Sequence, residues 1–298
     1  MKKNIVTATL LHIHAWAHNE IVFRIDEELF LCNTRESNVW DLYEKMCKKH
    51  KIDEGDPFLY DTHILSMIPD YRDSTNPNSI IGNICNLLSL IIELPIPASR
   101  TIISEDNFKT FFYTSEDFIY GEQTELLLFV DAKKEKIYLN ETSLMELRRL
   151  YETNRLIKMS EDNFRRLNNA LLYFFNSWCR VHFIEQTCVN LSICLESLFS
   201  PNSTNEIAHQ ISFNICHFIG CNPIEKEEIY KKVKRFYAMR SKIVHGSYTY
   251  NTDIVDTTRD VFVMTCKILK KILLNEEILL VFKNKLSWDL YFKRYIFE

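Results

Sequence analysis

Arg240 and His245 are the residues of this chain whose types and spacing best suit chemistry on phosphate. They lie in the run Tyr237-Ala-Met-Arg-Ser-Lys-Ile-Val-His-Gly246. An arginine is always charged and presents a planar fork of donors that matches phosphoryl oxygens. A histidine exchanges a proton near neutral pH. Together they suit phosphodiester cleavage, in which the imidazole moves protons and the guanidinium stabilises developing negative charge.

The helix that must position Arg240 has a clear start. Asn222 is a predicted N-cap, Pro223 suits the first helical position, and Glu225 suits the positive end of the helix dipole. Apolar residues at helical spacing predict one buried stripe, made of Ile229, Val233, Phe236, Tyr237 and Val244. Arg240 falls within this stripe, where a charged group requires an ion partner or a wet cleft.

His245 follows Arg240 by five residues, which is about 140° around an ideal helix. The two side chains therefore diverge if the helix runs on regularly. Gly246 predicts that the helix ends here, because glycine favours the position just past a helix C-terminus. His245 then lies in the last turn, where the negative end of the helix dipole favours a protonated imidazole.

The same helix is the most basic one in the sequence. Its cationic residues are Lys226, Lys231, Lys232, Lys234, Arg235 and Lys242. A row of charges is usually a solvated face. Here it surrounds the motif suited to phosphate, so we take Lys234, Arg235 and Lys242 as candidates for holding a phosphodiester backbone.

The run from Phe236 to Gly246 resembles the signature of the HEPN superfamily, in particular its Apea-like branch. The family motif is an Arg followed, after four to six residues, by a His, and Arg240 and His245 match it. The residue after the Arg is often Asn, Asp or His across the superfamily. Ser241 at this position is what we expect in the Apea-like branch.

A second match lies upstream, where Leu195–Leu198 is similar to the Leu-Glu-x-Leu helix of that branch. This match implies that Glu196 is the buried partner of Arg240. The resemblance covers roughly residues 160–275, and the first 140 residues resemble no family.

The resemblance implies a dimeric, metal-independent endoribonuclease in which the two motifs meet at the dimer interface. The RNA 2′-hydroxyl attacks the adjacent phosphate and leaves a cyclic phosphate. Arg240 and His245 would be catalytic, with supporting roles for Ser241, Glu196 and Tyr237. Many members of the superfamily belong to toxin or phage-defence systems. The expected partners are therefore RNA, a second copy, and a regulatory or antitoxin protein, with no cofactor and no membrane.

A different function stays open on the residues alone. The chain is then a non-catalytic HEPN-like dimerisation or binding module, in which Arg240 and His245 stabilise a helix pair. Exposure of the two side chains discriminates between these functions, because catalysis needs access to RNA. A fold by itself does not decide function.

The sequence pattern predicts two domains and a mostly helical chain. Residues 1–140 are predicted to form an α+β domain that senses a trigger or positions RNA, and residues 141–298 a helical, HEPN-like bundle. Strand-like runs occur at 21–25, 29–32, 100–103, 125–130 and 136–139. Helices are predicted at 39–49 and 80–94, the latter too short to span a bilayer, with a long loop at 55–78 between them.

Long helices are predicted in the second domain, at about 160–186, 188–200, 205–219, 223–245 and 254–275, with a short aromatic helix near the C-terminus. Asn140 and Ser160 are predicted N-caps. The pentapeptide Ser-Glu-Asp-Asn-Phe occurs at residues 104 and 160, which we interpret as two similar helix starts.

Composition bears on the partners of the protein and on its cellular compartment. The formal net charge of −4 gives no whole-chain signal for nucleic acid, so any basic face must be local. The nine cysteines form no Cys-x-x-Cys pair and resemble reduced core residues. Lys2 and Lys3 before Ala15–Ala17 imitate a secretory signal, but His12 and His14 interrupt its apolar region. We expect a cytoplasmic protein.

A metal site is a weaker alternative. His12, His14 and His18 include a His-x-His pair, which places two imidazoles on one face of a strand. No Cys or acidic ligand stands at a suitable spacing, so ordinary strand histidines are the preferred interpretation and no metal is predicted.

Overall fold

A computed structural model describes residues 4–9, 13–16, 22–26, 29–32, 63–68, 77–96, 102–105, 110–113, 137–178, 183–200, 206–247 and 252–294. These residues are mostly helical, as predicted. The chain divides into two compact units, Met1–Gly121 with Asp131–Tyr151 and Glu122–Val130 with Glu152–Glu298. Among the described residues, no helix combines the length and apolar composition needed to cross a membrane.

The described strands all lie in the first unit. They are β1 Asn4–Thr9, β2 Ile13–Trp16, β3 Val22–Arg24, β4 Leu29–Cys32, β5 His63–Ile68, β6 Ile102–Glu105, β7 Thr110–Tyr113 and β8 Ile137–Leu139. Six of them pair antiparallel in the order β3-β4-β5-β1-β6-β7, and β2 pairs parallel with β8. One helix of this unit, α1, spans Pro77–Ile92.

The strands predicted at 21–25 and 29–32 are confirmed as β3 and β4, which pair antiparallel. The carboxylate of Asp26 accepts a hydrogen bond of 2.8 Å from the Leu29 amide and closes the turn. The buried amphipathic helix predicted at 80–94 is also confirmed by α1, in which every residue from 84 to 90 is buried. The predicted helix at 39–49 and the strand at 125–130 lie outside the described residues.

Two predictions in this region were wrong. The loop predicted at 55–78 contains β5, which pairs with both β1 and β4. The pentapeptide at 104 does not start a helix, because Ser104 and Glu105 belong to β6 and pair with β7. Strand β5 pairs with strands distant in the sequence, and β6 pairs with the distant β1 as well as with its neighbour β7. A local pattern carries no information about the distant partners.

The second unit is helical. Helix α2, Glu141–Met159, begins in the first unit, and a short 3₁₀ helix, Glu161–Phe164, follows it. The further helices are α3 Arg165–Trp178, α4 Ile184–Phe199, α5 Ile207–Ile219, α6 Pro223–Val244, α7 Thr252–Leu274, α8 Glu276–Val281 and α9 Lys285–Lys293. The five residue ranges predicted as long helices therefore match α3 to α7, with one boundary in error.

That error is the helix predicted at 160–186, which ends at Trp178, while α4 begins at Ile184. Apolar positions continue through this stretch without a Gly or Pro, so the periodicity gave no sign of a break. Asn140 caps α2 as predicted, since its side chain accepts a hydrogen bond of 2.8 Å from the Ser143 amide. Ser160 occupies the N-cap position of the 3₁₀ helix, but its side chain makes no capping bond.

Aromatic side chains fill the core of the second unit. Phe174 stacks on Phe262, with ring centroids 5.2 Å apart. Trp288 and Phe292 of the aromatic tail are buried, and the Trp288 indole donates a hydrogen bond of 2.7 Å to the Leu198 carbonyl. The tail therefore packs into the bundle, as its composition predicts.

Candidate active site

The start of α6 follows the predicted local rules. The Asn222 side chain accepts a hydrogen bond of 3.0 Å from the Glu225 amide, and Pro223 occupies the first helical position. The Glu225 carboxylate accepts one of 2.8 Å from the Cys221 amide. These bonds satisfy backbone donors at the helix start and set the register of every later residue of α6.

The buried stripe of α6 ends earlier than the periodicity predicts. Its buried residues are Ile229, Val233, Phe236, Tyr237 and Met239. Arg240 is next along the chain, and its side chain is 31% exposed. Val244, predicted to lie in the stripe, is 50% exposed. Periodicity shows which face is apolar, but it does not show how far along the helix that face is covered.

Helix α4 holds the Arg240 side chain. The Arg240 Nε donates a hydrogen bond of 3.3 Å to Ser192 Oγ, and its Nη2 lies 3.8 Å from the Glu196 carboxylate. Ser192 and Glu196 are four residues apart and so share one face of α4. The predicted contact between Glu196 and Arg240 is present. Glu196 is 30% exposed, so this is a half-buried pair and not the buried one that we expected.

Ser192 is the residue that the sequence analysis missed. Its Oγ accepts from Arg240 and donates to the Val189 carbonyl at 2.7 Å. Its own carbonyl accepts a hydrogen bond of 3.3 Å from the hydroxyl of buried Tyr237. Ser192 therefore links α4 to two residues of α6. The sequence did contain one sign of this role, because Ser192 lies four residues before Glu196 and so shares its helix face.

The groups beneath Arg240 are held in their neutral forms. Burial raises the pKa of the Cys188 thiol to about 12, although the Arg240 charge opposes this. Burial also raises the pKa of Tyr237 well above its usual range, and the Glu196 charge adds to the effect. A thiol with so high a pKa is a poor nucleophile at neutral pH, so Cys188 has a packing role.

The Glu196 carboxylate makes the stability of this cluster depend on pH. Burial raises the pKa of Glu196 above its ordinary value of 4.5, and Arg240 opposes the rise. A carboxyl with a raised pKa binds its proton more tightly when folded. Its contribution to stability is thus complete below the unfolded pKa and is lost as the pH rises through the folded pKa.

We therefore expect the unfolding free energy of the wild type, minus that of Glu196→Gln, to fall as the pH rises above 4.5. Urea denaturation at a series of pH values measures this difference. Glu228→Gln removes an exposed carboxylate from α6 and serves as the control. A difference that grows with rising pH would show that the Arg240 charge outweighs burial at Glu196.

His245 lies at the end of α6, as predicted. It is the C-cap residue, it is exposed, and its amide donates a hydrogen bond of 3.1 Å to the Ser241 carbonyl. In the described part of the chain, no hydrogen bond joins its side chain to Arg240. Five residues of regular helix place two side chains about 140° apart, which accounts for the missing contact.

A Schellman motif ends the helix beside His245. Gly246 has a left-handed φ of 69°. Its amide donates to the Ile243 carbonyl at 3.1 Å, and the Ser247 amide donates to the Lys242 carbonyl at 3.0 Å. These two bonds satisfy carbonyls that the helix end would otherwise leave open.

Gly246→Ala is expected to lower the free energy of unfolding by about 1 kcal/mol, since a Cβ is disfavoured in the left-handed region. No atom lies within 4 Å of the added Cβ, so the cost is conformational and not a collision. Gly82→Ala is the matched control, because Gly82 is helical and equally uncrowded. It should raise stability by about 0.5–1 kcal/mol. Equal effects in denaturant titrations would contradict the capping role of Gly246.

The basic side chains of α6 are less available than their number suggests. Arg235 forms an ion pair with Asp253, and Lys232 lies 3.0 Å from Asp260, both on α7. Lys234 lies 6.0 Å from the centre of the Tyr230 ring. The sequence analysis took Arg235 as a contact for a phosphodiester and could not show that α7 places a carboxylate beside it.

The last turn of α6 is the more accessible part of the basic face. Ser241 and Lys242 are exposed there and adjoin His245. The Arg235 side chain is 63% exposed and that of its partner Asp253 46%, so their ion pair is also accessible to solvent. Exposed ion pairs contribute only about 0–1 kcal/mol, so a phosphate can compete for such an arginine.

No group of three or more His, Cys, Asp or Glu side chains suited to a metal ion occurs among the described residues. The side chains of His12, His14 and His18 lie outside that part of the chain. At His217, Nδ1 lies 2.9 Å from the Phe213 carbonyl, and the two rings pack 4.2 Å apart. Packing and this hydrogen bond account for His217.

Comparison of the chain with family models, with curated proteins and with solved structures finds no match.

Proposed function

We propose that this protein is a HEPN-type, metal-independent endoribonuclease with Arg240 and His245 as its catalytic residues. One observation supports this function above all. Arg240 is held at the edge of a buried stripe, on the same helix whose exposed end carries His245. A positioned cation and an accessible imidazole are the groups that cleavage by a 2′-hydroxyl requires.

The contacts of Arg240 suit electrostatic stabilisation of a phosphate. Its Nε and Nη2 face Ser192 and Glu196, and its Nη1 donors make no hydrogen bond within the described residues. Two nitrogens of the guanidinium thus fix its orientation, and the third would donate to a phosphate. Preorganised donors of this kind stabilise charge that develops on phosphoryl oxygens.

His245 would act as the general acid or base. The RNA 2′-hydroxyl loses its proton as it attacks the adjacent phosphorus, and the 5′-oxygen of the next nucleotide leaves with a proton. The products are a 2′,3′-cyclic phosphate and a 5′-hydroxyl. Lys242, together with Lys234 and Arg235, would contact the RNA backbone. Ser241 would help to orient the catalytic pair.

The active form would be a homodimer with a composite site. Arg240 and His245 diverge within one chain, so a second copy is needed to bring an arginine and a histidine to the same phosphate. Val244 is 50% exposed at the same helix end and offers apolar surface for that contact. Tyr237 and Glu196 would support the site from beneath.

The wider setting of the protein is also proposed. Residues 1–140 would form an α+β domain that senses a trigger or positions RNA, next to the helical domain at 141–298. The protein would act in the cytoplasm, in phage defence or as a toxin restrained by a regulatory or antitoxin partner. These proposals rest on the motif and on the pattern of the sequence.

Cleavage of a ribose-modified substrate tests the proposed chemistry. A single-stranded RNA oligomer should be cut, and the same oligomer with a 2′-O-methyl group at every position should resist, because the attacking hydroxyl is blocked. Both are incubated with the wild type and resolved on a denaturing gel. Equal cleavage of the two oligomers would contradict the mechanism, and no cleavage of either would contradict the function.

A non-catalytic dimerisation or binding module is the second candidate. The hydrogen bond and ion pair that hold Arg240 to α4 favour it, since these contacts also stabilise a helix pair. In that case Arg240→Ala lowers dimer stability, and the wild type never cuts RNA. The exposed His245 side chain does not fit a structural role, because it makes no hydrogen bond within the described residues.

A further inference from the structure

A second candidate binding site lies in a cavity between the end of α2 and helix α3. Its volume is about 540 Å³, and the residues that line it belong to the second unit. Sites for small molecules usually measure about 300–1,000 Å³. None of the lining residues takes part in the Arg240 cluster, so the cavity is independent of the proposed active site.

One end of the cavity is charged. Lys158, Asp162 and Arg165 line it, and all three are exposed. The exposed guanidinium of Arg165 can contact an anion that enters the cavity. The planar guanidinium of an arginine can donate two parallel hydrogen bonds to the oxygens of a phosphate. Asp162 is an acceptor, which suits a hydroxyl donor beside that anion.

Carboxamides follow the charged residues along α3. Asn168 and Asn169 lie three and four residues after Arg165, and Asn154 contributes from α2. Asn154 is only 1% exposed, so it is a fixed part of the wall. A carboxamide carries a donor and an acceptor side by side. This is the pattern that pairs with the edge of a nucleobase.

The far end of the cavity is apolar. Leu171, Leu172 and Phe175 line it, and Leu172 is 53% exposed. Leu172 lies seven residues after Arg165, which is about 10 Å along the helix. A phenylalanine ring and an exposed leucine at this distance suit the flat face of a base.

We propose that this cavity binds one nucleotide unit, either free or within single-stranded RNA. Its phosphate lies against Arg165 and Lys158, and Asp162 accepts from a ribose hydroxyl. The carboxamides bind the edge of the base, and Phe175 contacts its face. This proposal does not depend on Arg240 and His245 being catalytic.

Calorimetric titration of the 298-residue chain tests the site. The His245→Ala variant is used, so that RNA stays intact whether or not the wild type cuts it. The probes are AMP, CMP, GMP, UMP, inorganic phosphate and a single-stranded RNA octamer. We expect at least one nucleotide or the octamer to bind at least about tenfold more tightly than phosphate, because the base adds contacts.

Surface variants then assign the binding to the cavity. Arg165→Ala and Asn169→Ala remove exposed lining groups and should each weaken binding, by about tenfold for the arginine. Arg155→Ala is the matched control, since Arg155 is exposed on α2 and does not line the cavity. It should leave the affinity unchanged.

The probes also separate the two sources of the ligand. Binding of a mononucleotide without the octamer identifies a free nucleotide, and tighter binding of the octamer identifies RNA. The proposal is overturned if phosphate binds as tightly as every nucleotide and the octamer, or if none of the probes binds at millimolar concentration. Binding that both Arg165→Ala and Asn169→Ala leave unchanged overturns it as well.

Discussion

His245→Ala is expected to slow RNA cleavage by about 10²- to 10⁴-fold, which is the usual contribution of a general acid or base. The imidazole is exposed at the end of α6, and only the backbone of this residue takes part in the helix cap. Removing the side chain should therefore leave the fold and the free energy of unfolding unchanged. Initial rates on a labelled RNA, measured at matched protein concentration, give the effect.

The matched control is His209→Ala. His209 is another exposed histidine of the second unit, with Nδ1 2.7 Å from the Tyr230 hydroxyl on α6. Its loss should change the cleavage rate no more than a few-fold. Equal losses of activity in both variants would mean that His245 has no special role.

Arg240→Lys is expected to lower the cleavage rate by about 10²- to 10³-fold, the usual effect of losing a preorganised donor to a transition state. Lysine keeps the charge but not the planar fork, so it cannot face Ser192, Glu196 and a phosphate at the same time. Rates under saturating RNA separate this loss of turnover from weaker binding.

Arg235→Lys provides the control for Arg240→Lys. Arg235 is on the same helix and pairs with Asp253 at the surface, where lysine can replace it. Because lysine keeps the charge, RNA binding and turnover should both stay within a few-fold of the wild type. If Arg240→Lys retains full activity, the oriented guanidinium is not part of the chemistry.

Arg240→Ala and His245→Ala together separate catalysis from a structural role. Arg240→Ala leaves the half-buried Glu196 without its ion partner, so some loss of stability follows in either case. His245→Ala should not reduce stability. An inactive but equally stable His245→Ala protein therefore favours the ribonuclease, and a wild type that never cuts RNA favours the dimerisation module.

Local rules predicted helix α6 well. The cap at Asn222, the proline after it and the left-handed glycine at Gly246 each act within a few residues. For this reason the helix was predicted at 223–245 and found at Pro223–Val244. The placement of His245 in the exposed last turn follows from the same signals.

Contacts between helices were harder to predict. The pairing of Glu196 with Arg240 came from a resemblance and not from the pattern of the sequence. The bond from Arg240 to Ser192 and the ion pair from Arg235 to Asp253 depend on how α4 and α7 pack against α6. Periodicity states which face of a helix is apolar, but it does not identify the helix that covers this face.

Strands were predicted where a short β-rich run stands out, at β3, β4, β6 and β8, but β5 was missed. The hairpin of β3 and β4 closes within a few residues, and its turn signal is in the sequence. Strand β5 pairs with β1 and β4 across a much longer separation and was taken for a loop. Whether this segment forms a strand depends on partners that lie too far away in the sequence for a local pattern to include them.

The most direct test of the account is the chemistry of the RNA ends that the protein produces. Purified wild type and the His245→Ala variant are each incubated with a defined RNA in the presence of a chelator, and the fragments are weighed by mass spectrometry. The account predicts fragments with 2′,3′-cyclic phosphate and 5′-hydroxyl ends from the wild type, and intact RNA from the variant. Fragments with 5′-phosphate ends, or the same fragments from both proteins, would contradict it.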